Sequence, residues 1–158
     1  AVRKTAALFA VSTSLGAYLS SEDSKLVDFF HLFGKELGIA YQIYDDILGI
    51  WGTEKSIGKS VSDISQRKKT LHVVYGLQNS EGEARKRLEK LYCQKSIEGE
   101  DVVEVTKILG RLGARDYAGN LAEQHYHKAL EHLEAARLDT SRQAPLEETA
   151  CFLLKRDF

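Results

Sequence analysis

The sequence predicts an all-α fold. Three observations carry the prediction. There is a single Pro in 158 residues, there are few glycine-rich turns, and apolar residues recur at three- and four-residue spacing rather than alternating. An apolar share of 43% is enough to build a core.

A first helix is expected over residues 3 to 19, with Leu8, Val11, Leu15 and Leu19 on one stripe. Ser20-Ser21-Glu22-Asp23 interrupts it and offers N-cap residues for the next. The second helix has the clearest pattern, through Leu26, Phe30, Phe33, Leu37, Tyr41, Tyr44 and Leu48. Gly34 and Gly38 lie inside it, where each costs about 1 kcal/mol relative to Ala, so something is expected to pack closely against the backbone there. Gly49 to about Ser62 reads as a loop. Helices follow over about 69–77, 83–92 and 102–112, and over 114–136 with Tyr117, Leu121, Ala129 and Leu133 toward the core. Pro145 is placed in the first turn of a last helix that runs to about Arg156. The run from Glu83 to Lys90 reads as a solvated face.

The charges exclude one class of function. With 22 Lys+Arg against 23 Asp+Glu, there is no basic excess to neutralise a nucleic-acid backbone. A local basic cluster aimed at a small phosphorylated ligand remains compatible with that balance. Cys93 and Cys151 are too few and too far apart for a disulfide framework or a zinc site, which fits a reducing, cytoplasmic setting. No segment reaches the roughly 18 apolar residues that a membrane span requires. The absence of Met, with an apolar pattern that starts almost at residue 1, predicts a chain that begins mid-protein.

The chemistry concentrates in Gly38-Ile39-Ala40-Tyr41-Gln42-Ile43-Tyr44-Asp45-Asp46-Ile47-Leu48-Gly49-Ile50-Trp51. On a helix, Lys35, Gln42, Asp45, Asp46 and Gly49 share an arc of about 100°. Two adjacent carboxylates in an otherwise apolar helix are costly to bury unless a cation or strong donors compensate. Mg²⁺ suits them, because it takes oxygen ligands, often one or two carboxylates plus substrate phosphates. Lys59, Arg67, Lys68 and Lys69 then place four cations within eleven residues, together with Gly58, Ser60, Asp63 and Thr70. Lysines provide point charges for phosphate, and Lys68 and Lys69 precede a helix start, where the backbone favours an anion. An acidic face joined by a short loop to a basic cluster suggests a diphosphate held between metal ions and lysines. His125, His127 and His132 share a helix and read as ordinary polar-face histidines.

These residues give the sequence a likeness to a known family. Tyr41-Gln42-Ile43-Tyr44-Asp45-Asp46-Ile47-Leu48-Gly49 resembles the second aspartate-rich motif of the trans-type isoprenyl diphosphate synthases, or polyprenyl synthetases. Gly58-Lys59, Asp63, Lys68 and Lys69-Thr70-Leu71 resemble the stretch that follows it. Lys4-Thr5 resembles a Lys-Thr pair on an earlier helix, and Phe152-Leu153-Leu154-Lys155-Arg156-Asp157 is similar to a carboxy-terminal sequence of bacterial members. The resemblance implies the second half of an all-α isoprenoid synthase bundle, with residues 1–158 forming the carboxy-terminal portion of one domain. The amino-terminal half, with the first aspartate-rich motif and the Arg residues for isopentenyl diphosphate, lies outside the sequence. Gly49 stands where the family often has a third Asp, and His72 where it often has Pro.

The resemblance further implies a homodimeric, Mg²⁺-dependent prenyltransferase. It would condense isopentenyl diphosphate with an allylic diphosphate through an allylic cation. Asp45 and Asp46 would bind metal. Lys4, Thr5, Lys59 and Lys68 would hold diphosphate, and Gln42 would lie near the cation and its leaving group. Asp63 is expected to orient Lys59 or a metal-bound water, and Gly49→Asp to add a metal ligand. A related terpene cyclase would carry a different metal motif after the aspartates, and a non-catalytic subunit would be expected to lack Asp46 or Lys59. Both residues are present.

Overall fold

The computed structural model describes residues 2–52 and 63–154. Lys59, Gly58 and Ser60 lie outside the described residues, as do Lys155, Arg156 and Asp157 of the carboxy-terminal sequence. Val2–Ala6 forms a π-helical turn that leads into α1, Ala7–Ser20. There follow α2, Ser24–Trp51; α3, Leu71–Asn79; α4, Gly82–Cys93; α5, Glu100–Arg111; α6, Ala114–Ala135; and α7, Thr140–Leu154. Among the described residues there is no strand, as the spacing predicts. The chain divides into two compact units. One holds the described residues up to Tyr44 and from Leu121 onward; the other is Asp45–Asn120.

In the first unit, the start of α2 is set by Asp23, whose Oδ1 accepts the Lys25 N–H at 2.9 Å. The core gathers Phe33, Leu37 and Ala40 of α2, Ala129 and Leu133 of α6, and Ala150 and Leu154 of α7. Helix α1 packs on α2 through small residues. A Cβ at Gly34 would lie 2.2 Å from Thr13 Oγ1 and 2.6 Å from the Phe9 carbonyl oxygen, and one at Gly38 would lie 2.7 Å from Ala6 Cα. Thr13 Oγ1 donates across the crossing to the Phe30 carbonyl at 2.6 Å. The close approach expected at both glycines is therefore present.

This crossing reverses the expected orientation of α1. Ala10 and Ala17 are buried, while Leu8, Val11, Leu15 and Leu19 are all more than half exposed. The backbones come together only where side chains are small, so the Ala, Thr and Gly seam takes the contact and the larger apolar stripe points away. Pro145 also departs from expectation. It lies inside α7, because Asp139 starts that helix earlier, accepting the Arg142 N–H at 3.2 Å and a hydrogen bond from Ser141 Oγ.

In the second unit, Ile50, Ile64, Val73, Leu88, Leu91, Ile97, Val105 and Leu109 form the core. Gly113, at φ 71°, supplies the left-handed residue between α5 and α6. The charged run on α4 is not wholly a solvated face. Arg87 reaches α5, where its guanidinium bonds both carboxylate oxygens of Glu104, at 2.9 and 2.6 Å, and Asp101 at 3.1 Å. Tyr117 is partly exposed and stacks on Tyr75 with ring centroids 4.4 Å apart, rather than facing the core.

The two kinds of helical glycine make opposite expectations. At Gly16 of α1 an added methyl group would meet nothing within 4 Å. Gly16→Ala should therefore stabilise by about 0.5–1 kcal/mol through helix propensity alone. Gly34→Ala should destabilise by about 2–3 kcal/mol, because the added methyl meets a backbone carbonyl that cannot move without separating the helices. Urea denaturation of both variants measures the two signs.

Candidate active site

Gln42, Asp45, Asp46 and Gly49 all belong to α2, which continues to Trp51. The expected loop from Gly49 therefore begins three residues later, because Ile50 is drawn into the second unit's core and keeps the last turn helical. Asp45 is exposed and Asp46 half-buried. The desolvation cost expected for a buried carboxylate pair does not arise; the pair lies on the polar side of the helix.

In the first unit, the π-helical turn carries Lys4 and Thr5. Thr5 Oγ1 donates to Gln42 Oε1 at 2.6 Å, which orients the Gln42 amide, and Lys4 is exposed. Two residues read from one motif pair are thus brought to α2 by the same glycine-lined crossing that seats α1.

In the second unit, the segment after residue 62 returns to the end of α2. The Asp63 N–H donates to the Gly49 carbonyl at 3.0 Å, the Lys68 N–H donates to the Asp63 carbonyl at 3.0 Å, and the Arg67 N–H to the Ile64 carbonyl at 2.8 Å. Residues 63–68 form a tight turn, in which Arg67 takes a left-handed conformation, φ 51°, and its guanidinium bonds the Tyr92 carbonyl at 2.7 Å. Asp63 is only 8% exposed. Its carboxylate is ion-paired with the half-exposed Lys68 ammonium. The hydrogen bond to Asp63 raises the Lys68 pKa above its usual value, against some opposing burial, and the charges of Asp63, Asp45 and Asp46 act in the same direction. Lys68 therefore stays cationic while it feels both motif carboxylates.

Gly49 has a different meaning from the one its position suggests. A Cβ there would lie 2.5 Å from Asp63 Oδ2 and 2.7 Å from Asp63 Cγ. The space of a third carboxylate on α2 is already taken by a carboxylate from the following segment. Gly49→Asp would thus displace Asp63 and set two like charges against each other, rather than simply add a ligand. Among the described residues Asp63 pairs with Lys68; Lys59, which Asp63 is expected to orient, lies outside them.

Around Asp63 the structure buries polar groups that the sequence pattern does not mark. His72 is fully buried against the Trp51 indole, ring centroids 5.1 Å apart and steeply tilted, and neither ring nitrogen has a hydrogen-bond partner among the described residues. Burial lowers its pKa to about 4, opposed by the charge of Asp63. Burial likewise pushes the Tyr92 hydroxyl up to about 12, with Asp63 adding to the shift. A histidine in an apolar run carries no local sign of this; only its neighbours in space decide it.

The histidines of α6 have different surroundings: His125 is mostly buried, its Nδ1 2.6 Å from Glu36 Oε2 of α2, whereas His127 is exposed. Among the described residues no group of three His, Cys, Asp or Glu is placed to hold a metal. Cys93 and Cys151 are free thiols. No described helix is long and apolar enough to cross a membrane.

The chain is thus an all-α protein with adjacent aspartates on one long helix and a lysine-bearing turn docked on the same helix. The polyprenyl synthetase family model matches residues 1–109, and the chain belongs to that family. It is 41% identical over 132 residues to a geranylgeranyl diphosphate synthase of Sulfolobus acidocaldarius, covering 83% of this chain and 40% of that protein. A polyprenyl synthetase structure from Streptomyces coelicolor superposes with a TM-score of 0.88 at 30% identity, over 96% of this chain and 47% of the other. A Corynebacterium glutamicum geranylgeranyl pyrophosphate synthase, crystallised with isoprenyl diphosphate and magnesium, gives 0.81 at 26% identity, over 90% and 41%. The chain spans less than half the length of each of these relatives.

His72 gives a pH expectation. With a pKa near 4 in the folded chain and 6.5 unfolded, the unfolded chain binds more protons between those values. Its contribution is complete above about pH 6.5 and is lost as pH falls toward 4, by up to about 3 kcal/mol. His72→Phe should flatten the loss of stability over that window, read from denaturation midpoints at pH 7 and pH 4.5.

Proposed function

We propose that this chain is the carboxy-terminal portion of a Mg²⁺-dependent isoprenyl diphosphate synthase that condenses isopentenyl diphosphate with an allylic diphosphate. The observation that supports the reading best is the exposed Asp45 and half-buried Asp46 carboxylates on α2 with the Asp63-held Lys68 ammonium within range of their charge, in a chain of the polyprenyl synthetase family. The relative from C. glutamicum was crystallised with isoprenyl diphosphate and magnesium.

The donor set fits magnesium. Asp45 and Asp46 offer hard oxygen donors without a closed cage, which suits an ion that keeps several waters and shares itself with phosphate oxygens. Bound magnesium would neutralise the diphosphate and so ease its departure as an anion. The chain's own residues do the rest. Asp45 and Asp46 hold the metal. Lys68, with Lys59, meets diphosphate oxygens as point charges, and Lys4 and Thr5 contact the allylic diphosphate. Gln42, hydrogen-bonded to Thr5, would lie near the cation and its leaving group. The protein would act as a homodimer in a reducing, cytoplasmic setting, which suits its two free thiols.

The protein that carries this chain, given Mg²⁺, isopentenyl diphosphate and farnesyl diphosphate, should form a longer prenyl diphosphate and release pyrophosphate. The 158-residue chain alone should not, and robust turnover by it would overturn the half-enzyme reading. In the whole protein, Asp45→Ala should lower kcat by about 10²–10³, or about 3–4 kcal/mol, with a smaller effect on KM, because charge grows on the leaving diphosphate in the transition state. His127→Ala should leave both constants within about twofold. Near-parental turnover by folded Asp45→Ala at saturating Mg²⁺ would remove that residue from the mechanism.

A further inference from the structure

The turn at 63–68 is joined to α2 by the backbone hydrogen bond from the Asp63 N–H to the Gly49 carbonyl, with Ile64 in the same core as Ile50, and is closed on itself through the Lys68 N–H and the Asp63 carbonyl. Those bonds leave the Asp63 carboxylate free for another task. It lies where a side chain of residue 49 would lie, one turn beyond Asp45 and Asp46, and it contacts the Lys68 ammonium. A Cβ at 49 would lie 2.5 Å from Asp63 Oδ2, so a side chain there requires this carboxylate to move.

We propose that Asp63 is a positioning residue for Lys68, seated in the space that Gly49 leaves open and fixing the lysine's ammonium on the aspartate face of α2. Gly49 is then not a missing ligand but the seat of the clamp. Lys68 projects from a turn and is half exposed, so without the carboxylate its four-carbon stem would sample many positions. Held, it presents one cation at a set place to an incoming diphosphate, with its ordering cost already met before the ligand arrives. Asp63 acts through Lys68 and need not touch ligand itself.

This rests on the reading of the site as a diphosphate binder, and the test separates the two. Calorimetric titration with inorganic pyrophosphate in the presence of Mg²⁺ is run on the whole protein, unsubstituted and as Asp63→Asn, Gly49→Ala, Lys68→Ala and the two double variants with Lys68→Ala. Asp63→Asn and Gly49→Ala should each weaken binding by about tenfold where Lys68 is present, and should add nothing once it is Ala, as expected of residues that act through one group. Nitrogen-15 lysine spectra should show a slowly exchanging Lys68 ammonium in the unsubstituted protein that is lost in both single variants. A merely structural role for Asp63 would weaken binding equally in the Lys68→Ala background. Equal, multiplying effects, or unchanged affinity in folded Asp63→Asn and Gly49→Ala, would overturn the proposal while the functional reading stands. Absence of pyrophosphate binding by the unsubstituted protein would overturn the functional reading and the clamp with it.

Discussion

Helix α2 gives up side chains at Gly34, Gly38 and Gly49, at a cost in helix propensity of about 1 kcal/mol for each. All three sites are filled from elsewhere. At Gly34 and Gly38 the backbone of α1 and its π-helical entry come within contact distance, and Thr13 donates across the crossing. At Gly49 the occupant is the Asp63 carboxylate. The rest of the arrangement follows from these approaches. The first brings Thr5 to Gln42; the last carries Lys68 to the end of the helix that bears the aspartates. A methyl group at any of the three would be a small chemical change and a large geometric one.

The polar groups are distributed by the same packing. Asp45 is exposed and Asp46 half-buried, so solvent reaches both carboxylates. Asp63 is nearly buried but is matched at once by an ammonium. His72 and the Tyr92 hydroxyl lie deeper, without hydrogen-bond partners among the described residues, and burial is the main cause that displaces their protonation. The unit thus combines a paired charge at its surface with unpaired neutral groups inside. Charge is permitted where solvent or a counter-ion reaches, and elsewhere the neutral form is enforced.

Much of the fold was legible from spacing. The helices, the N-cap at Asp23 and the close approach at Gly34 and Gly38 follow from local rules, because hydrogen bonding within a helix and the steric size of glycine depend on near neighbours. The same rules misplace what depends on distant partners. Leu8, Val11, Leu15 and Leu19 form a proper apolar stripe, yet α1 turns its Ala and Thr side inward, since only small residues let two backbones come so close. Pro145 suits a first turn, but Asp139 caps a helix that starts at Thr140, five residues before the proline. Arg87 sits in a charged run that looks solvated, and its partners are on the next helix.

By itself the sequence determined the helical class, the adjacent aspartates on one helix and the cations that follow them, for these are matters of residue identity and period. It also carried the likeness to the polyprenyl synthetases, because that likeness lies in motif order. Only the tertiary structure decided what fills the space at Gly49 and which ammonium Asp63 contacts. The reason is physical: a glycine states only that a side chain is absent, and the atom that uses the space comes from fourteen residues away, through a turn whose return to α2 is fixed by backbone hydrogen bonds rather than by any local pattern.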